Sequence, residues 1–230
     1  MSSIILDKRL QTAGDMVRPG KRVVDIGTDH AYLPIYLIEN KICPSVIACD
    51  IAEGPLGSAV HNIDAYQMTD YIAVRQSDGL QSVKETEAED IVIAGMGGEL
   101  IASILHAAPW TKNPSYHLIL QPMSMADYLR KFLLSQGFSI EKEKAVTVGK
   151  HVYTVLSVYY SGEQKDCGLF YSVVGEIRKD KSEDGAAYLK KCAGRILKIA
   201  NGLKQGGKPE EAKIYYELYH DITEGKDAAV

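Results

Sequence analysis

Hydrophobic and polar positions change their period repeatedly between residues 21 and 121. Short runs rich in β-branched residues are each followed by a turn and then by an apolar stripe with helical spacing, so one strand-and-helix unit repeats. Such alternation is typical of an α/β protein with a doubly wound, mostly parallel sheet. The predicted strands are 22–26, 46–49, 72–75, 91–94 and 117–120, and the predicted helices are 33–39, 56–68, 98–106 and 125–136.

Two further strand-like runs, at 139–148 and 153–160, follow the last of these helices, with Gly149 and Lys150 as the turn between them. This pattern predicts an antiparallel hairpin that closes the parallel sheet. A nicotinamide-binding Rossmann domain is expected to continue with another parallel strand. Five parallel strands and a terminal hairpin instead resemble the Class I methyltransferase fold, which favours methyl transfer over hydride transfer.

The period becomes purely helical after Ser161. Apolar residues recur at steps of three and four in two stretches separated by Gly206-Gly207-Lys208-Pro209, which predicts an antiparallel helical coiled-coil hairpin, preceded by a helix at 169–178. We therefore divide the chain into a catalytic domain at 1–161 and a helical appendage at 162–230. The alternative is that these helices only pack on the sheet domain. The predicted seam residues are Leu189, Cys192, Ile196, Ile199 and Leu203 on the first helix and Ala212, Tyr215, Tyr219 and Ile222 on the second.

Composition narrows the class of protein. Hydrophobic residues make up 46% and charged residues 24% of the 230 residues, which excludes a disordered or low-complexity chain. The apolar runs fall far short of the roughly 20 residues of a membrane helix, and the N-terminus has no secretory pattern. We expect a soluble cytoplasmic protein. The four cysteines show neither CxxC nor ligand spacing with histidine, which predicts reduced thiols and no metal site.

Charge is distributed unevenly along the chain. The net charge is −4, yet residues 1–24 hold five basic and two acidic residues, and residues 178–208 hold nine basic and three acidic residues. The stretch between the first zone and residue 160 is acidic, with nine basic and sixteen acidic residues over 25–160. The two basic zones, rather than the net charge, indicate where a polyanion would be bound.

The segment Asp25-Ile26-Gly27-Thr28-Asp29-His30-Ala31-Tyr32-Leu33-Pro34 ends the first strand and opens the first helix. Backbone N–H groups at such a turn collect anionic or polar ligand groups, and Gly27 lets the backbone approach a ligand closely. The dinucleotide fingerprint GxGxxG is absent, because Asp29 and Tyr32 occupy its later glycine positions. A cofactor without phosphates, such as S-adenosylmethionine, suits this loop better than a dinucleotide.

Further acids and glycines end the next three strands. Asp50 lies where nucleotide-binding α/β proteins place an acid for the ribose hydroxyls, and Asp78 is positioned for the adenine amino group. Each acid alone can equally be a helix cap. The turn Gly95-Met96-Gly97-Gly98 lacks the prolines and the aromatic residue of methyltransferases that act on exocyclic amino groups, so that chemistry is disfavoured. The predicted cofactor-binding residues are Asp25, Gly27, Thr28, Asp29, His30, Asp50, Ile51, Asp78, Gly79, Gly95, Met96 and Gly97.

At the level of motifs the whole chain resembles the bacterial tRNA adenine N1-methyltransferases that modify position 22 in the D-arm. The pair DIGTDHAYLP and IAGMGG is the specific part of this resemblance. The supporting motifs are Leu6-Asp7-Lys8-Arg9-Leu10, Glu53-Gly54-Pro55, Ser77-Asp78-Gly79-Leu80 and Gln121-Pro122. The resemblance implies an S-adenosylmethionine-dependent sheet domain and a helical coiled-coil domain that helps to hold tRNA.

The implied reaction makes modest demands on the site. Adenine N1 has a free lone pair, so positioning and electrostatics dominate, and the base must be flipped out of its stack. Asp29 is expected to stabilise the positive adenine or to orient its amino group; its alternative role is a helix N-cap. His30 is expected to stack on the base or to orient Asp29. Arg9, on an N-terminal helix with Lys8 and Arg9 facing outward, is implied by the resemblance to lie near the catalytic pocket.

The predicted RNA contacts are phosphate contacts, which read the shape of a folded RNA rather than its sequence. Three rival functions remain open: a nicotinamide-dependent oxidoreductase, an inactive scaffold whose helical hairpin binds a protein, and a methyltransferase acting on a small molecule or protein. We expect a monomer. The predicted RNA-binding residues are Lys8, Arg9, Arg178, Lys179, Lys181, Lys190, Lys191, Arg195 and Lys198.

Overall fold

A seven-stranded sheet forms the centre of the computed structural model, which describes residues 3–225. Its strand order is β3-β2-β1-β4-β5-β7-β6, with β1 to β5 parallel and β7 antiparallel to both of its neighbours. The predicted α/β sheet with a closing hairpin is therefore confirmed. The strands are β1 Val23–Ile26, β2 Val46–Asp50, β3 Ile72–Gln76, β4 Asp90–Gly97, β5 His117–Ser124, β6 Phe138–Val148 and β7 His151–Tyr160.

Helices cover both faces of this sheet and continue beyond it. The predicted helix at 169–178 is α-helical only as far as Val174, and a 3-10 turn, Gly175–Lys179, follows it. The helix ends there because Gly175 has φ +57°, and a Cβ at this position would collide with the side chains of Glu143 and Arg130. The α-helices are α1 Lys8–Gly14, α2 Tyr32–Glu39, α3 Glu53–Ala65, α4 Gly98–Ala107, α5 Ala126–Ser135, α6 Leu169–Val174, α7 Glu183–Gln205 and α8 Pro209–Glu224.

Two apolar cores lie on opposite faces of the sheet. Because successive side chains of a strand point to opposite faces, Val23 of β1 packs with α1, α2 and α3, whereas Val24 packs with α4 and α5. All four residues of β1 are buried, as is usual for a central parallel strand. The chain ends of β1 to β4 are thereby fixed relative to one another.

A third apolar core joins the C-terminal helices to the strand hairpin. It contains Ala145 and Val152 of the hairpin together with Cys192 and Ile196 of α7. The predicted seam is only partly correct, since Ile199 is 38% exposed. The buried stripe of α7 runs through Tyr188, Cys192, Ile196 and Ala200 because this helix packs on the strands as well as on α8.

A buried ion pair lies at the junction between α5, the strand hairpin and the C-terminal helices. The side chains of Arg130 and Glu143 have no exposed surface, and they also form hydrogen bonds to groups of four other segments. Arg130 donates to the carbonyls of Ser172 and Val173 at 2.8 and 3.0 Å and to the Tyr188 hydroxyl at 2.8 Å. The pair therefore holds α7 in a fixed orientation on the sheet.

The four cysteines are buried and form no disulfide. Within residues 3–225, no group of three or more His, Cys, Asp or Glu side chains is arranged to hold a metal ion. In the same part of the chain, each helix is too short or too polar to cross a membrane.

Candidate active site

The loop between β1 and α2 packs directly on the last residues of β4. Gly27 has φ +78°, and a Cβ there would collide with the terminal methyl group of Met96. The backbone N–H groups of Gly27 and Thr28 both donate to the Cys49 carbonyl, at 2.8 and 2.9 Å, which ties the loop to the end of β2. This close approach requires glycine at position 27 and leaves its backbone accessible to a ligand.

Acids stand at the carboxyl ends of three neighbouring strands, as the sequence predicts. Asp25 lies in β1, Asp50 ends β2 and Asp78 follows β3. The Asp50 carboxylate accepts the backbone N–H of Ala52 at 3.0 Å and that of Asp29 at 3.5 Å. The side chain of Ile51, next to Asp50, is 62% exposed. This edge therefore combines carboxylate acceptors with an exposed apolar surface, which suits a nucleoside.

Asp25 differs from the other two acids because it is buried. Burial raises the pKa of its carboxyl from 3.8 to about 6, and the nearby charge of Asp50 acts in the same direction. The nearby Thr28 side chain acts in the opposite direction without cancelling the increase in pKa. Because the pKa of Asp25 is higher in the folded state, ionised Asp25 destabilises the fold once the pH exceeds the pKa that this carboxyl has in the unfolded chain.

We expect the substitution Asp25→Asn to increase the free energy of unfolding at pH 7.5 by about 1–3 kcal/mol, because one pKa unit corresponds to about 1.4 kcal/mol. The cost of ionised Asp25 develops as the pH rises from about 4 to 6, so the gain should shrink towards pH 4. Urea unfolding at pH 7.5 and at about pH 4 measures this change in the free energy of unfolding, with Asp64→Asn on the outer face of α3 as the control. A destabilised Asp25→Asn protein at pH 7.5 would contradict the expectation.

Asp29 is not a helix cap, so that alternative is wrong. Helix α2 begins at Tyr32, and its N-cap is Ala31, whose side chain makes no capping hydrogen bond. The helix starts late because Asp29 and Ala31 both have positive φ, at 50° and 57°. The Asp29 carboxylate is 66% exposed and lies 3.6 Å from His30 Nε2, and the His30 ring stacks on Tyr32 with centroids 5.2 Å apart.

Arg9 faces the site, whereas the sequence predicted that its side chain faces outward. Its side chain is only 18% exposed. Asp7 caps α1 through the Leu10 N–H and also accepts the Arg9 guanidinium at 2.9 Å, which turns that group towards β5. There Arg9 Nη1 donates to Gln121 Oε1 at 2.8 Å. This contact puts Arg9 beside the end of β4, since Gly95 donates to the same Gln121 oxygen.

Gln121 is a site residue that the sequence analysis treated only as part of a motif. It is fully buried, and its Oε1 also accepts the Gly95 N–H at 3.0 Å, so it joins α1 to the end of β4. The signal available in the sequence was an amide directly after the apolar run of β5. A buried amide of this kind is retained only where it has hydrogen-bond partners.

Tyr153, at the start of β7, was also missed. Its ring has the Arg9 guanidinium at 5.8 Å and the Lys191 ammonium at 5.9 Å from its centroid, both within cation–π range. Lys191 Nζ donates to the Val152 carbonyl at 2.8 Å. One basic residue of α7 therefore reaches the edge of the site.

The other predicted RNA-binding residues fall into three groups. Arg178 packs rather than projects, because its side chain is 12% exposed and lies over the Tyr171 ring at 5.8 Å. We therefore remove it from the set of phosphate contacts. Arg195 pairs with Asp127 at 2.9 Å and Lys179 pairs with Glu176 at 2.6 Å, each with its other side open to solvent. The remaining members are exposed: Lys8, Lys181, Lys190 and Lys198.

The parallel sheet, its antiparallel hairpin and the acids at the strand ends define a Rossmann-like enzyme that binds a nucleoside cofactor. A family model described as a methyltransferase domain matches residues 6–156, and the chain belongs to this family. This match favours methyl transfer over the hydride-transfer alternative. The tRNA (adenine(22)-N(1))-methyltransferase of Bacillus subtilis is 39% identical over 156 residues, which are 68% of this chain and 66% of that protein.

Solved structures extend the similarity to the helical part of the chain. The crystal structure of TrmK, the m1A22 tRNA methyltransferase of B. subtilis, has a TM-score of 0.85 at 31% identity and covers 95% of this chain and 99% of its own. Streptococcus pneumoniae Sp1610 in complex with S-adenosyl-L-methionine has a TM-score of 0.81 at 33% identity, covering 96% and 99% of the two chains. The C-terminal helices therefore belong to the shared fold.

Proposed function

We propose that this protein transfers a methyl group from S-adenosylmethionine to N1 of an adenine in the D-arm of tRNA, at position 22. The observation that carries the proposal is the arrangement at one sheet edge, where the nucleoside-binding acids lie beside Asp29, Arg9 and Gln121. Two relatives support the proposal: the B. subtilis protein is a tRNA (adenine(22)-N(1))-methyltransferase, and the S. pneumoniae structure contains S-adenosyl-L-methionine. We also propose that the protein acts in the cytoplasm, where tRNA is modified, and that it acts as a monomer, because the proposed site residues all lie on one chain.

The residues at the sheet edge fit S-adenosylmethionine. Asp50 would accept the ribose hydroxyls, and the exposed side chain of Ile51 would lie against the adenine ring. Asp78 would accept the adenine amino group. The bare backbone of Gly27 and Gly95 leaves room for the methionine part. When bound, the cofactor supplies a methyl group on a positively charged sulfur.

The acceptor chemistry requires placement more than proton transfer. As the adenine N1 lone pair forms a bond to the methyl carbon, the carbon–sulfur bond breaks, sulfur keeps that electron pair, and the positive charge moves to the adenine. The Asp29 carboxylate, 66% exposed at this edge, would stabilise that charge. The stacked rings of His30 and Tyr32 would offer a surface for the flipped base.

We expect Asp29→Ala to lower the rate constant of methyl transfer about a hundredfold, which corresponds to about 2.7 kcal/mol of transition-state stabilisation. Single-turnover kinetics with saturating tRNA measures the rate constant, and calorimetric titration checks that S-adenosylmethionine still binds. Asp29→Asn keeps the size of the side chain without its charge and should lose most of the same factor. A loss below tenfold would remove Asp29 from the catalytic step.

We also propose that residues 162–230 are a tRNA-binding appendage, with its exposed lysines on the RNA phosphates. The proposal predicts that log affinity falls with log salt by about 0.7 to 0.9 per contacted phosphate. Replacing Lys181, Lys190 and Lys198 together by alanine should raise the KM for tRNA and reduce that slope by about 2. Initial rates of methyl transfer at varied tRNA concentration measure the KM, and filter binding between about 50 and 200 mM salt measures the slope. A flat salt response contradicts the proposal, and an equal loss of cofactor affinity would indicate misfolding.

The central experiment identifies the product. The protein is incubated with methyl-labelled S-adenosylmethionine and unmodified bacterial tRNA, the RNA is digested, and the labelled nucleoside is identified. N1-methyladenosine in the D-arm is expected, and its loss in a tRNA with guanosine at that position is the control. A different methylated nucleoside would overturn the target atom. Failure to bind the cofactor at all would return the nicotinamide alternative.

A further inference from the structure

A groove of about 270 Å³ lies beside the candidate active site and is not used by the reaction proposed above. Its floor is the turn between β5 and α5, one wall is the start of β7, and the other wall is α7. The residues that decide its chemistry are Met123, Met125, Asp127, Tyr153, Lys191 and Arg195. The groove therefore lies between the sheet and the helical appendage.

The groove is continuous with the site through Arg9. Arg9 Nη1 contacts Met123 Sδ at 3.2 Å while it donates to Gln121, and its guanidinium lies over the Tyr153 ring. Both Met123 and Tyr153 line the groove. Arg9 therefore lies between the groove and Gln121 of the candidate active site.

The walls of the groove combine flat apolar surface with positive charge. Met123 and Met125 are 40% and 44% exposed, which is unusual for such apolar side chains. Lys191 donates to the Val152 carbonyl and not to a carboxylate, so its positive charge stays available on this side. Arg195 is partly neutralised by Asp127, whose carboxylate in turn offers a hydrogen-bond acceptor. The apolar floor, the aromatic ring of Tyr153 and the ammonium of Lys191 together suit a base with its phosphate.

The size of the groove limits its occupant. Sites for whole small-molecule ligands usually have volumes of about 300–1,000 Å³, so a groove of about 270 Å³ accepts one base and not a second cofactor. The groove is also held open in advance, because Tyr188 lines it and is bound by the buried Arg130 at 2.8 Å. Its shape is therefore set by the same buried ion pair that orients α7.

We propose that this groove binds the nucleotide that adjoins the methylated adenosine, with its base against Tyr153 and the two methionines and its phosphate on Lys191. The proposal rests on the proposed function. Flipping one adenosine deprives its neighbour of a stacking partner, and that neighbour stays within one phosphodiester linkage of the site. A base bound beside Tyr153 recovers the lost stacking, which makes the flipped state easier to reach.

A double-mutant cycle between the protein and the RNA tests this assignment. The affinity for unmodified tRNA is measured by fluorescence anisotropy for the wild type, Tyr153→Ala and Tyr153→Phe. Each protein is tested with intact RNA and with RNAs that are abasic at the 5′ or the 3′ neighbour of the target. Stacking of one base is worth about 1–3 kcal/mol, so Tyr153→Ala should weaken binding about 5- to 150-fold, while Tyr153→Phe keeps the ring and stays within about threefold.

The expected result is coupling at one neighbour only. RNA that lacks the base bound in the groove should have the same affinity for the wild type and for Tyr153→Ala. RNA that lacks the base on the other side of the target should still bind Tyr153→Ala more weakly than the wild type, by the same factor as intact RNA. Lys191→Ala should weaken binding of all three RNAs and reduce the salt slope by about 0.7 to 0.9, with Lys84→Ala, an exposed side chain ahead of the amino end of β4, as the unaffected control. Additive losses at both neighbours, or an unchanged Lys191→Ala slope, would overturn the assignment.

The product analysis is kept separate from this cycle, because anisotropy needs no methyl transfer. If N1-methyladenosine forms and the losses are additive, the groove assignment fails and the proposed function stands. If the wild type makes no N1-methyladenosine in intact tRNA, the proposed function fails first and the groove assignment falls with it.

Discussion

Replacing Glu143 by alanine should lower the free energy of unfolding by about 3–5 kcal/mol, the usual cost of leaving a buried charge without its partner. Glu143 accepts two groups of Arg130 and also the Thr154 hydroxyl at 2.6 Å and the Glu176 N–H at 3.0 Å. All of these groups lose an acceptor at once, in a place that water does not reach. Chemical denaturation followed by circular dichroism measures the change.

Two comparisons separate this buried pair from ion pairs in general. Glu211→Ala removes the exposed partner of Lys208 and should change the free energy of unfolding by less than about 1 kcal/mol. The double variant Arg130→Met with Glu143→Leu removes both charges, so it should be clearly more stable than Glu143→Ala alone. A loss below about 1 kcal/mol in Glu143→Ala would show that the pair is solvated in solution.

Asp50→Ala should raise the dissociation constant of S-adenosylmethionine about a hundredfold or more. Two hydrogen bonds from ribose hydroxyls to a carboxylate are lost, and each contributes about 1.5–3 kcal/mol. The backbone N–H of Ala52, which Asp50 accepts at 3.0 Å, also loses its partner, so the loop after β2 becomes less well ordered. Isothermal titration calorimetry with the cofactor measures the change directly.

Asp50→Asn keeps an acceptor oxygen without the charge and should lower the affinity for S-adenosylmethionine about tenfold. This is the loss expected when one charge-assisted hydrogen bond becomes neutral. Asp64→Ala, on the outer face of α3, is the matched control and should leave the dissociation constant unchanged. If Asp50→Ala binds the cofactor as tightly as the wild type does, the ribose lies elsewhere and the placement of the whole cofactor must be revised.

Sequence reasoning located the sheet well because local period decides it. The change from alternating to helical spacing placed every strand, although β4 and β5 run on past their apolar runs to Gly97 and Ser124. Period fails for α7, where Ile199 was expected in the seam and is exposed, since the buried stripe depends on two neighbours rather than one. Once the strands are predicted, their carboxyl ends are predicted too, and with them the positions of Asp50 and Asp78.

The parts of the site that were missed depend on contacts between distant residues. Arg9 meets Gln121 across 112 residues of chain, and no local pattern indicates that an arginine beside Lys8 turns inward. The buried pair of Arg130 and Glu143 is equally invisible, because charged residues on a helix and a strand read as solvent-facing positions. Such residues become predictable only when the fold has brought the elements together.

The third apolar core has a consequence for how this protein can change over evolutionary time. Because Ala145, Val152 and the buried pair of Arg130 and Glu143 are covered by α6 and α7, the catalytic sheet cannot lose or exchange its helices without exposing them. The C-terminal helices are thus no interchangeable module. If they bind RNA as proposed, a lineage that altered its RNA substrate would have to do so by substitutions on the outer faces of α7 and α8, with the inner faces kept.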